Sequence, residues 1–164
     1  MQAVVLLSDL LTSARVKVPL EATTKDELLR ELVEVLAEDG CVTDPADVLL
    51  VVRQREEVLS TGIGSGVAIP HGKSNACRDL TIAAGVTREP VEFDALDEEP
   101  VRLAFLLVGP ENAAGAHIKA LSRISRLVRQ PELRARLMEA EDEQALARGM
   151  QGLSIRLAKA LNRE

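Results

Sequence analysis

Apolar residues recur at helical spacing early in the chain, and two capping patterns mark where helices begin. Thr24 and Glu27 have the spacing of a capping box, in which side chains satisfy free N–H groups of the first turn. Leucine and valine then recur every three to four residues until Gly40, a residue type that commonly ends helices. Asp44 followed by Pro45 has the order of an N-cap and a first helical residue. The pattern therefore predicts a helix from Thr24 to Gly40 and a second helix from Pro45.

The middle of the chain changes to strand-like patterns. Glycines and a proline interrupt residues 60–72, which excludes a regular helix there. Residues 67–69 alternate as in a short strand, and residues 80–86 alternate over a longer stretch. Residues 101–108 are nearly all apolar, which is typical of a strand buried on both faces. The acidic residues 89–99 are predicted to form a turn-rich connection between the two longer strands.

Helical spacing returns after Gly109 and continues to the end of the chain. Residues 117–128 carry apolar side chains on one face and lysine and arginine elsewhere. A short helix is predicted from Pro131 and a last amphipathic helix over about residues 143–162. Helices, then strands, then helices indicate an α/β fold with a mixed β-sheet flanked by helices. At 164 residues, 1–164 is predicted to be a single domain.

Composition and charge exclude several classes of function. The chain has 20 Lys and Arg against 26 Asp and Glu residues, a net charge of −6, which argues against nucleic-acid binding. The chain has two Phe and no Trp or Tyr, so it lacks the aromatic side chains that commonly stack on nucleic-acid bases. No stretch approaches the roughly 20 apolar residues of a membrane span, and the start of the chain, with Asp9 in its apolar run, makes a poor signal peptide. Cys41 and Cys77 are predicted to be reduced thiols, and the protein is predicted to be cytoplasmic.

Three motifs suggest cofactors and fail on their spacing. Residues 72–74 resemble the end of a phosphate-binding loop, but Val67 stands where that loop needs its first glycine. Glycines at every second position of residues 62–66 do not form a dinucleotide fingerprint. His71 and His117 are 46 residues apart without an assigned third ligand, which is a weak zinc signal. We therefore expect no metal and no other cofactor.

His71 is the first candidate for chemistry. It follows Pro70, which restrains the backbone, and precedes Gly72, which allows a sharp turn. An imidazole held at a strand end is partly neutral near pH 7, so one nitrogen has a free lone pair and can act as a nucleophile. The alternative is a turn histidine with a structural hydrogen bond.

His117 and Arg55 are the second and third candidates. His117 falls in the predicted first turn of a helix, where free N–H groups and the helix dipole favour an anion. Arg55 falls at the end of the second predicted helix, where its guanidinium could hold a phosphate through paired N–H donors. The alternatives are a boundary histidine of an apolar stripe and a solvated charge.

Four segments resemble one known family. Residues 60–72, STGIGSGVAIPHG, closely resemble the active-site signature of enzyme IIA domains of the bacterial phosphotransferase system. The resemblance is to the fructose, mannitol and nitrogen-regulatory class, EIIA type 2. Arg55 with Glu56, residues 91–100, and His117 with its neighbours resemble further elements of that class in the same order. The resemblance covers about residues 5–150.

The resemblance implies a fold and a chemistry. The fold would be a mixed β-sheet flanked by helices, the phosphotransferase/anion-transport-like sandwich. His71 would accept a phosphoryl group from the phosphohistidine of HPr, with no metal or other cofactor. His117 and Arg55 would support the phosphate, and Thr61 would donate a hydrogen bond.

The same family contains two branches with different recipients. The wording STGIG and AIPHGK, together with a stand-alone IIA of this length, favours the nitrogen-regulatory branch, whose members act on target proteins through their phosphorylation state. The alternative is a sugar-transport member that passes the phosphoryl group to a cysteine of an enzyme IIB domain. Either branch implies an HPr-type donor as a partner.

Overall fold

The computed structural model describes residues 15–150 and confirms both predicted N-terminal helices. These are α1, Lys25–Glu38, and α2, Pro45–Val58. The Thr24 side chain accepts a hydrogen bond from the backbone N–H of Glu27 at 3.2 Å. The Glu27 carboxylate reaches back to the N–H of Thr23, one residue before the cap. Caps and apolar spacing therefore act together to fix where these helices begin.

Six strands form one mixed sheet. In chain order they are β1 Val16–Leu20, β2 Gly62–Gly64, β3 Val67–Ala68, β4 His71–Lys73, β5 Thr81–Val91 and β6 Val101–Gly109. Their order across the sheet is β1-β5-β6-β3-β2, and β4 also pairs with β6. β5 and β6 are antiparallel, whereas β1 pairs parallel with β5, and β3 and β4 pair parallel with β6. The predicted mixed sheet is confirmed.

Three of these strands and one boundary differ from the prediction. β1 was not predicted; among the described strands it lies at the edge of the sheet, where a proline is tolerated because no strand between residues 15 and 150 pairs with its outer side. The sequence analysis also did not predict β2 and β4, which are three residues each. β5 continues to Val91, so residues 92–100 alone form the connection to β6. Phe93 in this connection is fully buried, which ties the acidic segment to the core.

Two buried clusters cover the two faces of the sheet. Alternate residues of β6 divide between them: Leu103, Phe105 and Leu107 join one cluster, while Leu106 and Val108 join the other. The second cluster is completed by α1 and α2. Because β6 is buried on both faces, its sequence is a nearly continuous apolar run, as predicted.

The first cluster is completed by the C-terminal helices. A 3₁₀ turn, Glu111–Ala113, leads into α3, Ala114–Val128, which is followed by α4, Pro131–Met138. Residues 143–150 are also helical and contribute Leu146 and Met150 to this cluster. The remainder of the predicted last helix lies outside the described residues. Within residues 15–150, no helix is both long and apolar enough to cross a membrane.

Pairing of β4 with β6 determines where His71 lies. His71 is opposite Leu107, and Lys73 is opposite Gly109, the last residue of β6. The chain turns into α3 a few residues later, so the end of the central strand brings His71 and the start of α3 together.

The close approach of β1 to β5 yields a stability prediction. A Cβ atom on Gly85 would lie 2.6 Å from the carbonyl oxygen of Lys17 and would collide with the Leu20 side chain. Because the obstacle includes backbone, we expect Gly85→Ala to lower the free energy of unfolding by about 1–3 kcal/mol. Urea unfolding followed by circular dichroism measures this change.

The matched control is Gly115→Ala in the first turn of α3. No heavy atom lies within 4 Å of a Cβ at that position. Alanine there should leave stability unchanged or raise it by up to about 1 kcal/mol. Equal stability of the Gly85→Ala protein and the wild type would show that the two strands can separate without cost.

Candidate functional site

His71 is held by a hydrogen bond to the backbone two residues before it. Its Nδ1 lies 2.9 Å from the carbonyl oxygen of Ile69. A carbonyl can only accept, so Nδ1 carries the proton and the lone pair of the neutral ring is on Nε2. Burial lowers the pKa of His71 below its ordinary value, although the hydrogen bond to Ile69 acts in the opposite direction. The half-buried ring is therefore mainly neutral near pH 7, with Nε2 as its nucleophilic atom.

His117 lies edge-on against His71. It is the fourth residue of α3 and is 4% exposed. The ring centroids are 5.6 Å apart and the ring planes are inclined at 64°. Burial, and then the neighbouring His71 and Lys73, lower the pKa of His117 to about 4. Its Nδ1 is buried with no hydrogen-bond partner among residues 15–150, which is an energetic cost to the fold.

Arg55 lies in the last turn of α2, as predicted. One of its Nη atoms donates to the carbonyl oxygen of Leu59 at 2.9 Å, which anchors the guanidinium at the helix end. Arg55 is close enough to His71 that its positive charge contributes to the lowered pKa of that imidazole. The guanidinium has five N–H donors, so donors remain for an anion held beside His71. The structure thus places His71 and His117 in contact, with Arg55 near enough for its charge to act on the His71 imidazole.

Thr61 makes a different contact from the predicted one. It is buried, and its hydroxyl donates to one oxygen of the Glu56 carboxylate while its N–H donates to the other at 2.9 Å. A hydroxyl has a single proton, so the Thr61 side chain cannot also donate to a phosphoryl group in this arrangement. Thr61 joins the end of α2 to the start of β2 and thereby positions Arg55.

The buried Glu56 carboxylate belongs to a wider cluster that the sequence analysis did not assign. The ammonium of Lys25 lies 2.9 Å from Glu56 and 4.8 Å from the centre of the Phe93 ring. Two backbone or hydroxyl donors and one cation therefore satisfy the buried carboxylate. Removal of Lys25 would leave the Glu56 carboxylate buried without a counter-charge. We infer that this cluster stabilises the backbone on which the site residues lie.

Lys73 is a second residue that the sequence analysis missed. It is exposed in β4, and its charge contributes to lowering the pKa of both His71 and His117. The signal was present in the sequence, because residues two apart on a strand point to the same side. His71 and Lys73 therefore share one side of β4, and an anion on His71 would meet a cation there.

The glycine-rich segment builds a turn between β2 and β3. Gly64, Ser65 and Gly66 all have positive φ values, of 97°, 58° and 80°. Glycine adopts this left-handed conformation without steric cost, and the two glycines leave only Ser65 to bear such a cost. The N–H of Ser65 donates to the Asp97 carboxylate at 2.8 Å. The turn is thus attached to the 92–100 connection, and the motif serves to shape the loop ahead of His71.

Metal binding requires several ligands in one place. In the part of the chain that the structure describes, no group of three or more His, Cys, Asp or Glu side chains could hold a metal ion.

The two neutral rings predict a specific titration. We expect imidazole NMR signals to show His117 titrating near pH 4 and His71 titrating below its ordinary value of 6.5. In His71→Asn the pKa of His117 should rise but remain below 6.5, because burial is its larger cause. Titration of both rings at 6.5 or above would show that the site is open to water.

The lowered pKa of His117 makes the free energy of unfolding depend on pH. Between pH 6.5 and about 4 the unfolded chain binds a proton at His117 that the folded chain does not bind. The free energy of unfolding should therefore fall as pH falls through this window. Carboxylates contribute in the same direction, so the comparison is with His117→Gln, in which the fall should be shallower.

The chain is similar to known proteins over most of its length. Residues 9–151 match the family described as "Phosphoenolpyruvate-dependent sugar phosphotransferase system, EIIA 2". A nitrogen regulatory protein of Bradyrhizobium diazoefficiens is 36% identical over 140 residues, which are 85% of this chain and 91% of that protein. The fructose-specific EIIABC component of Bacillus subtilis is also 36% identical over 140 residues, again 85% of this chain. Those residues are 22% of that relative, so the chain spans about a fifth of its length.

A solved structure shares both the fold and the sequence. The nitrogen regulatory protein IIA-Ntr from Neisseria meningitidis superposes with a TM-score of 0.81 and 35% identity. The match covers 88% of this chain and 98% of that one. The resemblance seen in residues 60–72 is therefore confirmed, and this chain belongs to the EIIA 2 family of the phosphoenolpyruvate-dependent sugar phosphotransferase system.

Proposed function

We propose that this protein is a phosphocarrier of the nitrogen-regulatory type, which accepts a phosphoryl group from phospho-HPr on His71. One observation carries the proposal: Nδ1 of His71 is occupied by the Ile69 carbonyl, which leaves the Nε2 lone pair on a neutral, half-buried ring. A neutral imidazole of this kind is a nucleophile without a base to activate it. Membership of the EIIA 2 family and the likeness to IIA-Ntr support the same assignment.

The transfer needs one bond to form and one to break. The Nε2 lone pair of His71 attacks phosphorus, and the phosphorus–nitrogen bond of the donor phosphohistidine breaks. The electron pair of that bond returns to the donor imidazole. No proton has to leave His71 during the step, because its proton is on Nδ1 and remains bonded to Ile69.

Charge around His71 suits the transferred group. Phosphoryl transfer proceeds through a loose transition state with charge on the equatorial oxygens, so positioned donors and cations supply most of the catalysis. Arg55 and Lys73 provide positive charge, and His117 provides a neutral ring at the start of α3. We assign Arg55 and His117 to phosphate contact, Thr61 to positioning, and Lys73 to electrostatic support.

Exposed apolar side chains suit contact with an HPr-type donor. Val58 and Leu59 end α2, Ile63 lies in β2 and Leu96 lies in the 92–100 connection, and their exposed fractions run from 47% to 80%. All four lie on the elements that build the site. Large exposed apolar residues grouped in this way are typical of a protein contact surface.

The regulatory branch is the one that the comparisons support better. The chain overlaps 91% of a nitrogen regulatory relative and 98% of the IIA-Ntr structure. The second candidate is delivery to an enzyme IIB cysteine for sugar uptake, which the equal 36% identity to the fructose EIIABC component favours.

We also infer that residues 1–164 form one domain in the cytoplasm. The family match spans residues 9–151, and residues 143–150 already pack into the first buried cluster. Cys41 and Cys77 are both free, as expected for a reducing compartment.

Intact-mass measurement after incubation with phosphoenolpyruvate, enzyme I and HPr tests the phosphocarrier proposal. Wild-type protein should gain one acid-labile phosphoryl group, and His71→Asn should gain none. Asparagine is the sharper variant because its amide nitrogen can take the place of Nδ1 at the Ile69 carbonyl while the nucleophile is lost. Equal labelling of both proteins, with HPr itself phosphorylated, would refute His71 as the acceptor.

The recipient separates the two branches. A regulatory member should bind a target protein with affinities that differ between its phosphorylated and free forms. A transport member should instead transfer its label to the cysteine of an isolated IIB domain from the same cell. Rapid transfer to such a IIB domain, with no difference in protein binding between the two forms, would favour the sugar-transport alternative.

A further inference from the structure

Basic residues are concentrated in α3 and α4 of a chain whose net charge is negative. Residues 114–138 contain one of the 26 Asp and Glu residues and six of the 20 Lys and Arg residues. The six are Lys119, Arg123, Arg126, Arg129, Arg134 and Arg136. The rest of the molecule is correspondingly more acidic than the net charge suggests.

Helical spacing places part of this charge on one solvent-facing side. Ile118, Lys119, Arg126 and Arg129 are all exposed, and we call these four residues the basic face. The opposite side of α3 packs into the first buried cluster through Ala120, Ile124, Leu127 and Val128. The basic face is therefore presented outward by a helix whose orientation is fixed by its core contacts.

Four cations of α3 and α4 have no acidic partner among the described residues. Lys119, Arg126, Arg129 and Arg136 form no ion pair with any residue between 15 and 150. Some cations of the other elements do have an acidic partner; Arg53, for example, donates two hydrogen bonds to the Asp26 carboxylate.

The chain ends cannot supply the missing charge. Residues 1–14 and 151–164 together contain two acidic residues, Asp9 and Glu164, against three basic ones. Residues 1–14 and 151–164 therefore carry no acidic excess that would neutralise the basic face.

We propose that the basic face is a docking surface for an acidic segment of a partner protein. Ile118 is 65% exposed beside Lys119 near the start of α3, and Arg126 and Arg129 lie about two and three helical turns further along. The face therefore offers an apolar contact at one end and a row of cations along the rest, and protein interfaces commonly combine these two kinds of contact. The partner segment would place an apolar side chain on Ile118 and carboxylates against Lys119, Arg126 and Arg129.

A protein fits this surface better than a nucleic acid or a membrane. Extended polyanions interact with the field of the whole molecule, and the net charge of −6 opposes their approach. A compact acidic patch on a protein interacts mainly with the nearest cations, because salt screens charges beyond about 8–10 Å. The proposal does not depend on phosphoryl transfer, since none of the four residues belongs to the phosphate site.

The experiment uses the full chain and a fluorescent peptide of Glu and Leu residues at helical spacing. Fluorescence anisotropy should show binding that weakens with added salt. Arg126→Glu with Arg129→Glu should weaken binding by at least about tenfold, because attraction becomes repulsion at the contact. The control, Arg30→Glu with Arg78→Glu, makes the same change in net charge at exposed residues elsewhere and should change binding by less than about threefold.

Several outcomes would overturn the proposal. They are absence of peptide binding, an equal loss in both double variants, and peptide-induced amide NMR shifts that lie mainly outside α3. Tighter binding of an oligonucleotide of equal charge, or of phosphatidylserine vesicles, would replace the acidic protein with a different partner class. A second double variant, Arg126→Ala with Arg129→Ala, controls for misfolding, because alanine has a high helix propensity. This variant should keep the wild-type circular dichroism spectrum and still bind the peptide more weakly than the wild type.

Discussion

The carbonyl oxygen of Ile69 accepts a hydrogen bond from Nδ1 of His71, and the chemistry of the site depends on this contact. It fixes the tautomer, points the ring, and leaves Nε2 as the nucleophilic atom. The contact exists because β4 pairs with the end of β6 and places His71 opposite Leu107. A backbone acceptor of this kind cannot change its own protonation, so the ring keeps this tautomer without a titrating partner.

Burial then adjusts the electrostatics around that ring. His71 and His117 lie edge-on and both have lowered pKa values, mainly because each is taken out of water. Two imidazoles can share so small a space because they are neutral. Arg55 and Lys73 leave the surroundings positive, so the arrangement suits an arriving phosphoryl group. The Glu56 carboxylate, held by Lys25 and Thr61, anchors the end of α2 from which Arg55 extends.

Local signals in the sequence were sufficient for much of this architecture. Caps at Thr24 and Asp44 located α1 and α2, and the apolar run of β6 identified the central strand. The residues around His71 predicted a rigid strand end, and left open whether its histidine is a nucleophile or a turn residue with a structural hydrogen bond. The resemblance of residues 60–72 then supplied the phosphoryl chemistry, which composition and spacing alone left open.

Features that depend on contacts between distant residues were not predictable in the same way. β4 is three residues long and exists because β6, some 30 residues later, provides its hydrogen bonds. The hydroxyl of Thr61 was expected to donate to the phosphoryl group, but in the structure it donates to the carboxylate of Glu56. The tautomer of His71 is set by a carbonyl whose direction follows from the three-dimensional path of the chain. Long-range pairing decides the first of these, and the three-dimensional path of the chain decides the two side-chain contacts, which local preference alone does not specify.

Nitrogen-15 NMR of the phosphorylated protein tests the central claim most directly. Uniformly labelled protein, phosphorylated through HPr, would be recorded with long-range imidazole correlations and phosphorus coupling. The account predicts phosphorus bonded to Nε2 of His71, with Nδ1 still protonated at the Ile69 carbonyl. Phosphorus on Nδ1, or on any residue other than His71, would contradict it.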